Sequence, residues 1–161
     1  MRNEQEVNQA IDRYGDTVRR ICILHLKNIS DSEDIFQEVF LKYALRTLPF
    51  ESQEHEKAWI IRVTINACKD LRKSLFRSRT LPLDTLLPLP AEPETSHRQV
   101  LEAVLSLPKQ YKDVVYLQYY EGYSAVEIGN ILHKNTNTVY TWLARARKML
   151  QKKLGGDGDE G

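Results

Sequence analysis

Four prolines, Pro82, Pro88, Pro90 and Pro93, fall within the seventeen residues from Thr80 to Ser96. That stretch also carries the acids Asp84, Glu92 and Glu94 and no basic residue. Proline locks φ and removes a backbone donor, so no helix runs through it and an extended, semi-rigid chain is favoured. The stretch reads as an interdomain linker. The 161 residues divide into a first domain at 1–79, a linker at 80–96, a second domain at 97–154 and a Gly-Asp tail at 155–161 that is expected to be disordered.

On both sides apolar residues recur at helical spacing. Val7, Ile11, Tyr14, Val18, Ile21 and Leu24 predict an amphipathic helix over 4–27. Ser30-Asp-Ser-Glu33 reads as a capping box that launches Ile35, Phe36, Val39, Phe40, Tyr43 and Ala44 on one face, with Pro49 ending that helix. A polar loop from Phe50 to Glu56 precedes a third helix bearing Trp59, Ile60, Val63, Ala67 and Leu71. Beyond the linker, a helix carries Val100, Val104 and Leu107. Pro108 opens the next, Gly122 closes it, and Ser124-Ala-Val-Glu127 is a second capping box. With no strand pattern and no internal repeat, the expected fold is all-α: two small helical domains joined by a Pro-rich linker.

The end of the second domain narrows the partner. Ile128, Ile131 and Leu132 form one apolar face, residues 133–135 are polar, and Val139, Leu143, Ala146 and Leu150 form a second face. Two short helices around a tight turn make a helix-turn-helix. Lys134, Arg145, Arg147, Lys148, Lys152 and Lys153 meet no acid between 134 and 153, so the second helix suits the DNA major groove. The net charge of +1 conceals segregation. Seven acids against two bases over 31–56 give −5, and seven bases against Asp70 over 57–79 give +6. Blocks of opposite sign suggest two partners, although either block alone also suits a solvated face.

No apolar run is long enough to span a bilayer, and the polar first residues do not form a signal peptide. Cys22 and Cys68 read as core thiols of a cytoplasmic protein. Cys22 and His25 share a helical turn, but two further ligands are not evident, so neither a metal nor another cofactor is expected.

Three motifs now point to one family. Asp31-Ser-Glu-Asp-Ile-Phe-Gln-Glu-Val-Phe-Leu-Lys-Tyr43 resembles the core-polymerase-binding helix of bacterial sigma factors. Ala58-Trp-Ile-Ile-Arg-Val-Thr-Ile-Asn-Ala-Cys-Lys-Asp70 is similar to the promoter helix that follows it. Leu107-Pro108, Tyr119–Ser124 and Glu127–Arg147 resemble the last domain of the same family. Two domains without a third between them resemble the extracytoplasmic-function (ECF) group of the sigma-70 family.

The resemblance implies a transcription initiation factor, not an enzyme, that acts on no small-molecule substrate. Its implied partners are core RNA polymerase (the beta-prime coiled coil and the beta flap), promoter DNA and an anti-sigma factor, often membrane-bound. Asp34, Gln37 and Glu38 lie on adjacent turns and would meet the arginines of the coiled coil together; an exposed acidic face is the simpler alternative.

For the minus-10 element the resemblance implies Phe50, Glu51, Ser52 and Gln53 as a base-capturing loop, with Arg62, Asn66, Lys69 and Arg72 along the strand. Lys73 stays outside that set, and Trp59 reads more readily as a core anchor. For the minus-35 element it implies Thr138, Tyr140, Thr141, Ala144, Arg145, Arg147 and Lys148. Arg145 is suited to a guanine, and Arg147 and Lys148 to phosphates. The chain departs from the family at His133, which stands in place of a turn glycine, and at Tyr140 and Trp142, which replace basic residues. Trp142 either packs on the preceding helix or contacts the sugar-phosphate chain. An extended linker at ~3.1 Å per residue spans about 53 Å. That approaches the ~58 Å between promoter elements at ~3.4 Å per base pair, so both domains could straddle one promoter.

Two rivals remain at this point. A LuxR-type helix-turn-helix regulator would leave the acidic and Trp59–Asp70 motifs unused. A protein-interaction module that does not bind DNA would leave the cationic helix unused.

Overall fold

The computed structural model describes residues 1–78 and 95–155. Residues 79–94, which hold all but the last two of the expected linker, and the tail beyond Gly155 lie outside the described residues; Thr95 and Ser96 belong to the first helix of the second unit. Two compact units are present, and all regular structure among the described residues is helical.

The first unit holds α1 (Glu4–His25), α2 (Ile29–Leu45) and α3 (Gln53–Ser78). Asn3 and Glu6 cap α1 reciprocally: the Glu6 amide donates to Asn3 Oδ1 at 2.8 Å and the Asn3 amide to Glu6 Oε1 at 3.0 Å. Ala10, Tyr14, Val18, Ile21 and Cys22 form its buried stripe. The helix stops at His25, two residues short of the expected end, because Leu26 and the Asn28 cap are both extended.

The cap of α2 is Asn28 and not Ser30. The Asp31 amide donates to Asn28 Oδ1 at 3.1 Å and the Ser32 amide to the Asn28 carbonyl, also at 3.1 Å. An asparagine caps as well as a serine, and starting there adds backbone bonds ahead of Ser30. The far end of α2 is Leu45, four residues before Pro49, so the proline marks the connection and not the last turn.

The expected polar loop through Glu56 is shorter than anticipated. Ser52 Oγ accepts the His55 amide at 3.1 Å and starts α3 at Gln53, while the Glu51 amide donates to His55 Nδ1 at 3.0 Å. Glu56 is drawn inside. Its carboxylate accepts Tyr14 Oη at 2.9 Å and Tyr43 Oη at 2.6 Å and pairs with Arg13 at 3.5 Å. One buried acid thus ties all three helices, beside a core of Val18, Ile35, Val39, Ile60 and Cys68. Each large aliphatic side chain there stabilises the unit by about 1.5–3 kcal/mol.

The second unit holds α4 (Thr95–Leu105), α5 (Lys109–Val115), a π-helical turn (Tyr116–Tyr120), α6 (Ala125–Leu132) and α7 (Thr136–Gly155). Pro108 stands as the N-cap residue, one position before the first helical residue of α5. The π turn is absent from any apolar periodicity. It is closed by the Glu121 amide on the Tyr116 carbonyl at 3.1 Å, and Gly122 leaves it at φ 81°. Ser124 and Glu127 form the expected capping box of α6. Buried Leu117, Ile128, Val139 and Leu143 hold this unit together.

Candidate nucleic-acid and partner interfaces

The acidic surface is built by α2. Ile35, Val39 and Tyr43 turn inward, which leaves Asp34, Gln37 and Glu38 exposed together on the opposite face. Glu38 meets Lys42 at 3.0 Å, an exposed i,i+4 pair of small worth, while Asp34 has no ion pair among the described residues. Burial, and next the charge of Asp34, raise the Asp31 carboxyl above its ordinary value. This face continues, unpredicted from the sequence, to Leu41 and Leu45, which are 59% and 56% exposed. The missed signal is phase. Both leucines fall one residue out of step with the buried set, so an apolar side chain occupies a solvent position. The acidic trio is thus the polar end of a stripe whose other end is apolar.

The second surface runs along α3. Trp59, Arg62, Asn66, Lys69 and Lys73 recur at three and four residues and share one stripe. Asn66 and Lys73 are exposed, whereas Arg62 and Lys69 are half-buried. Burial pushes the Arg62 guanidinium below its ordinary value. Arg72 stands at the edge of this stripe, three residues on from Lys69. It lies about a quarter-turn from the centre of the stripe by helical spacing, and one of its Nη atoms is buried without a hydrogen bond among the described residues. Lys73, left outside the expected set, falls on the stripe itself.

At the head of this stripe Phe50 is half-buried. Its ring lies against Tyr43 (6.0 Å between centroids), Trp59 (5.6 Å) and His55 (5.3 Å). Trp59 belongs to the same aromatic cluster, in line with the anchor reading. Glu51, Ser52 and Gln53 are exposed, although the Ser52 hydroxyl is engaged as the cap of α3.

The third surface is α7. Asn135 starts it, accepting the Val139 amide on its carbonyl at 3.2 Å and the Thr138 amide on Oδ1 at 3.4 Å. Val139, Leu143 and Ala146 are buried, so Tyr140, Thr141, Ala144, Arg145, Arg147 and Lys148 stand exposed, with Thr138 half-buried at the edge. Arg147 leans sideways, and its Nη1 donates to Tyr119 Oη at 3.3 Å across to the π turn. Trp142 is half-buried with Lys134 Nζ 6.0 Å from its ring centroid, so the indole packs towards the turn.

The turn itself is a Schellman closure: the Lys134 amide reaches the Gly129 carbonyl at 2.9 Å across left-handed His133 (φ 57°, ψ 48°). A Cβ on Gly129 would stand 2.6 Å from the Lys134 carbonyl oxygen, so this close approach requires glycine.

Among the described residues no cluster of His, Cys, Asp and Glu could hold a metal ion, and no helix is long and apolar enough to cross a membrane.

The model of Sigma-70 region 2 matches residues 10–78, covering most of α1 and all of α2 and α3, and that of Sigma-70 region 4 matches residues 97–150, covering the helix-turn-helix. The ECF RNA polymerase sigma factor SigW of Bacillus subtilis is 28% identical over 166 residues, spanning 89% of this chain and 86% of the relative. SigV of the same organism is 28% identical over 137 residues, spanning 84% and 82%. The sigma factor RpoE from Bartonella quintana, solved with the anti-sigma factor NepR, shares the fold at a TM-score of 0.71 and 18% identity. That match covers 96% of this chain and 99% of that one. CnrH, solved with the cytosolic domain of CnrY, shares it at 0.64 and 21%, covering 97% and 92%. The chain belongs to the sigma-70 family of RNA polymerase initiation factors, in its extracytoplasmic-function group.

Proposed function

We propose that the protein binds core RNA polymerase through α2, brings it to promoters carrying paired minus-35 and minus-10 elements, and helps to open the duplex. Core association would rest on Asp34, Gln37 and Glu38 against arginines of the beta-prime coiled coil, with Leu41 and Leu45 extending the contact. The minus-35 element would be read by α7, with a further polymerase contact from the same unit to the beta flap. The minus-10 strand would be held by residues 50–53 and by Arg62, Asn66 and Lys69 along α3. Family members use no hydrolysable fuel, so unstacking, at a few kcal/mol per base, must be offset by protein contacts to the extruded bases.

The observation that carries this reading is the coexistence of two exposed faces of opposite charge on separate units of one chain: the acidic stripe of α2 and the cationic face of α7. A LuxR-type regulator would have no use for the first. Polymerisation would belong to the core and not to this protein. The neighbours solved with NepR and CnrY support an anti-sigma factor as a further partner. The same reading places the protein in the cytoplasm, held at the membrane where that partner is anchored.

Run-off transcription with purified core tests this. Specific transcripts should need both components. Tight duplex binding by the protein alone, with no transcription from the mixture, would overturn the proposal.

A further inference from the structure

Phe50 carries more than neighbouring aromatics. Two guanidinium groups lie over its ring, Arg2 at 5.1 Å and Arg46 at 4.4 Å from the centroid. Arg2, ahead of α1, is spent on the protein itself. Its amide donates to the Ala44 carbonyl at 2.8 Å, its Nη1 to the Arg46 carbonyl and its Nη2 to the Leu48 carbonyl, each at 3.3 Å, and its guanidinium covers Tyr43 at 4.7 Å. It latches the connection between α2 and α3.

Arg46 is differently placed. Its guanidinium lies over Phe50 and also over Trp59 at 5.4 Å, and its Nε is fixed on the Leu48 carbonyl at 3.1 Å. Its two terminal nitrogens make no hydrogen bond among the described residues, and neither arginine has a carboxylate partner there.

An anion docking here would be attracted by both guanidinium groups at one ring. A planar guanidinium held over a ring and tied at Nε is ordered, and the edge that carries its two terminal nitrogens remains for a ligand. That edge matches two oxygens of a phosphate. The stacking lowers the entropy lost on binding, because the side chain is already ordered. Directly beyond lies the α3 stripe of Arg62, Asn66, Lys69 and Lys73, so the charge continues in the direction a strand would run.

We infer that Arg46, presented by Phe50 and Trp59 and locked by Arg2, is a phosphate-binding residue for unpaired DNA, gripping one backbone phosphodiester beside the captured minus-10 bases. The inference rests on the reading that the first unit holds the unpaired strand. A carboxylate of a protein partner is the competing ligand. The basic continuation along α3 favours the nucleic acid.

The test uses holoenzyme and a single-stranded non-template oligonucleotide spanning the minus-10 element, with each phosphate neutralised in turn as methylphosphonate. Wild type should lose about tenfold at one position. Arg46→Ala should lose about as much on the unmodified strand, lose nothing further at that position, and bind with a salt slope shallower by about one. Arg46→Lys should recover part of the affinity, since the charge stays while the paired geometry goes. Equal losses for Arg46→Ala at every methylphosphonate position with an unchanged salt slope would make Arg46 a support for Phe50 only and overturn the inference. Loss of core or anti-sigma binding with intact strand affinity would assign it to a protein carboxylate instead. The methylphosphonate scan on wild type needs no variant to fold. A wild-type holoenzyme that ignores the oligonucleotide altogether would refute the underlying strand-holding reading, which is a separate outcome.

Discussion

Replacing Glu56 should cost the first unit a large share of its stability. The carboxylate accepts two phenols, from α1 and α2, and stands 3.5 Å from Arg13. A hydrogen bond to a charged group is worth about 1.5–3 kcal/mol. The Arg13 side chain is 44% exposed, so its pairing adds little. Glu56→Ala removes both acceptors and leaves two buried hydroxyls without them, at a cost of about 3–5 kcal/mol. For a unit of this size each kcal/mol moves the midpoint by about 4–8 °C, so the expected fall is roughly 20 °C. Glu56→Gln keeps one neutral acceptor and should lose about half as much.

The pH dependence follows from the same site. Burial first, and then the Glu56 carboxylate, push Tyr14 and Tyr43 from 10 up to about 12. Both phenols hold their protons more tightly when folded than when unfolded. Their contribution is therefore complete below pH 10 and lost as pH rises to about 12. Trp59 emission in a Trp142→Phe background reports on this unit alone, since the chain has two tryptophans. Tyrosinate absorbance at alkaline pH reads the phenols directly. A Glu56→Ala unit that melts within 3 °C of wild type, with unchanged phenol titration, would refute the reasoning.

Three further outcomes are expected. Asp34→Lys with Glu38→Lys should cost several kcal/mol of core association by setting like charges across the interface, with helicity kept; undiminished holoenzyme assembly in a competition assay would count against α2 as the anchor. His133→Gly should stabilise the turn by about 1 kcal/mol by removing the left-handed penalty, whereas Gly129→Ala should shift α7 through the 2.6 Å contact with the Lys134 carbonyl; amide exchange along α6 distinguishes the two, and equal protection in both would contradict the close-approach argument. Arg145→Ala should cost about 1–3 kcal/mol and relax preference at one minus-35 base pair, while Lys148→Ala weakens all sequences alike; a promoter scan with unchanged preference for Arg145→Ala would demote it to a phosphate contact.

The helices of both units were legible because their apolar residues keep a three-and-four spacing, and His133 was legible, through the resemblance, as a turn residue in place of glycine. What escaped was polar chemistry over long sequence distance. Glu56 reads as one more acid in an acidic block, and only folding brings Tyr14 and Tyr43, 42 and 13 residues away, to its carboxylate. The same holds for Arg2 and Arg46, which meet over a ring that neither adjoins in sequence. The cap of α2 was misplaced because serine and asparagine serve equally and the sequence offered both within three residues. The π turn and the out-of-step leucines of α2 escaped for the opposite reason: they break the periodicity on which the reading relied.

The closure between α6 and α7 is made almost wholly of backbone, through the Lys134 amide, the Gly129 carbonyl and a left-handed residue between them. Its angle is consequently insured against change in the exposed residues of α7. Thr141, Ala144, Arg145 and Lys148 can be exchanged without disturbing Val139, Leu143 and Ala146, which hold the helix in place. If α7 reads the minus-35 element as proposed, duplicated copies of such a gene would diverge in the promoters they read while inheriting one fixed frame. An engineer seeking orthogonal transcription circuits would randomise those four positions and leave Gly129 untouched.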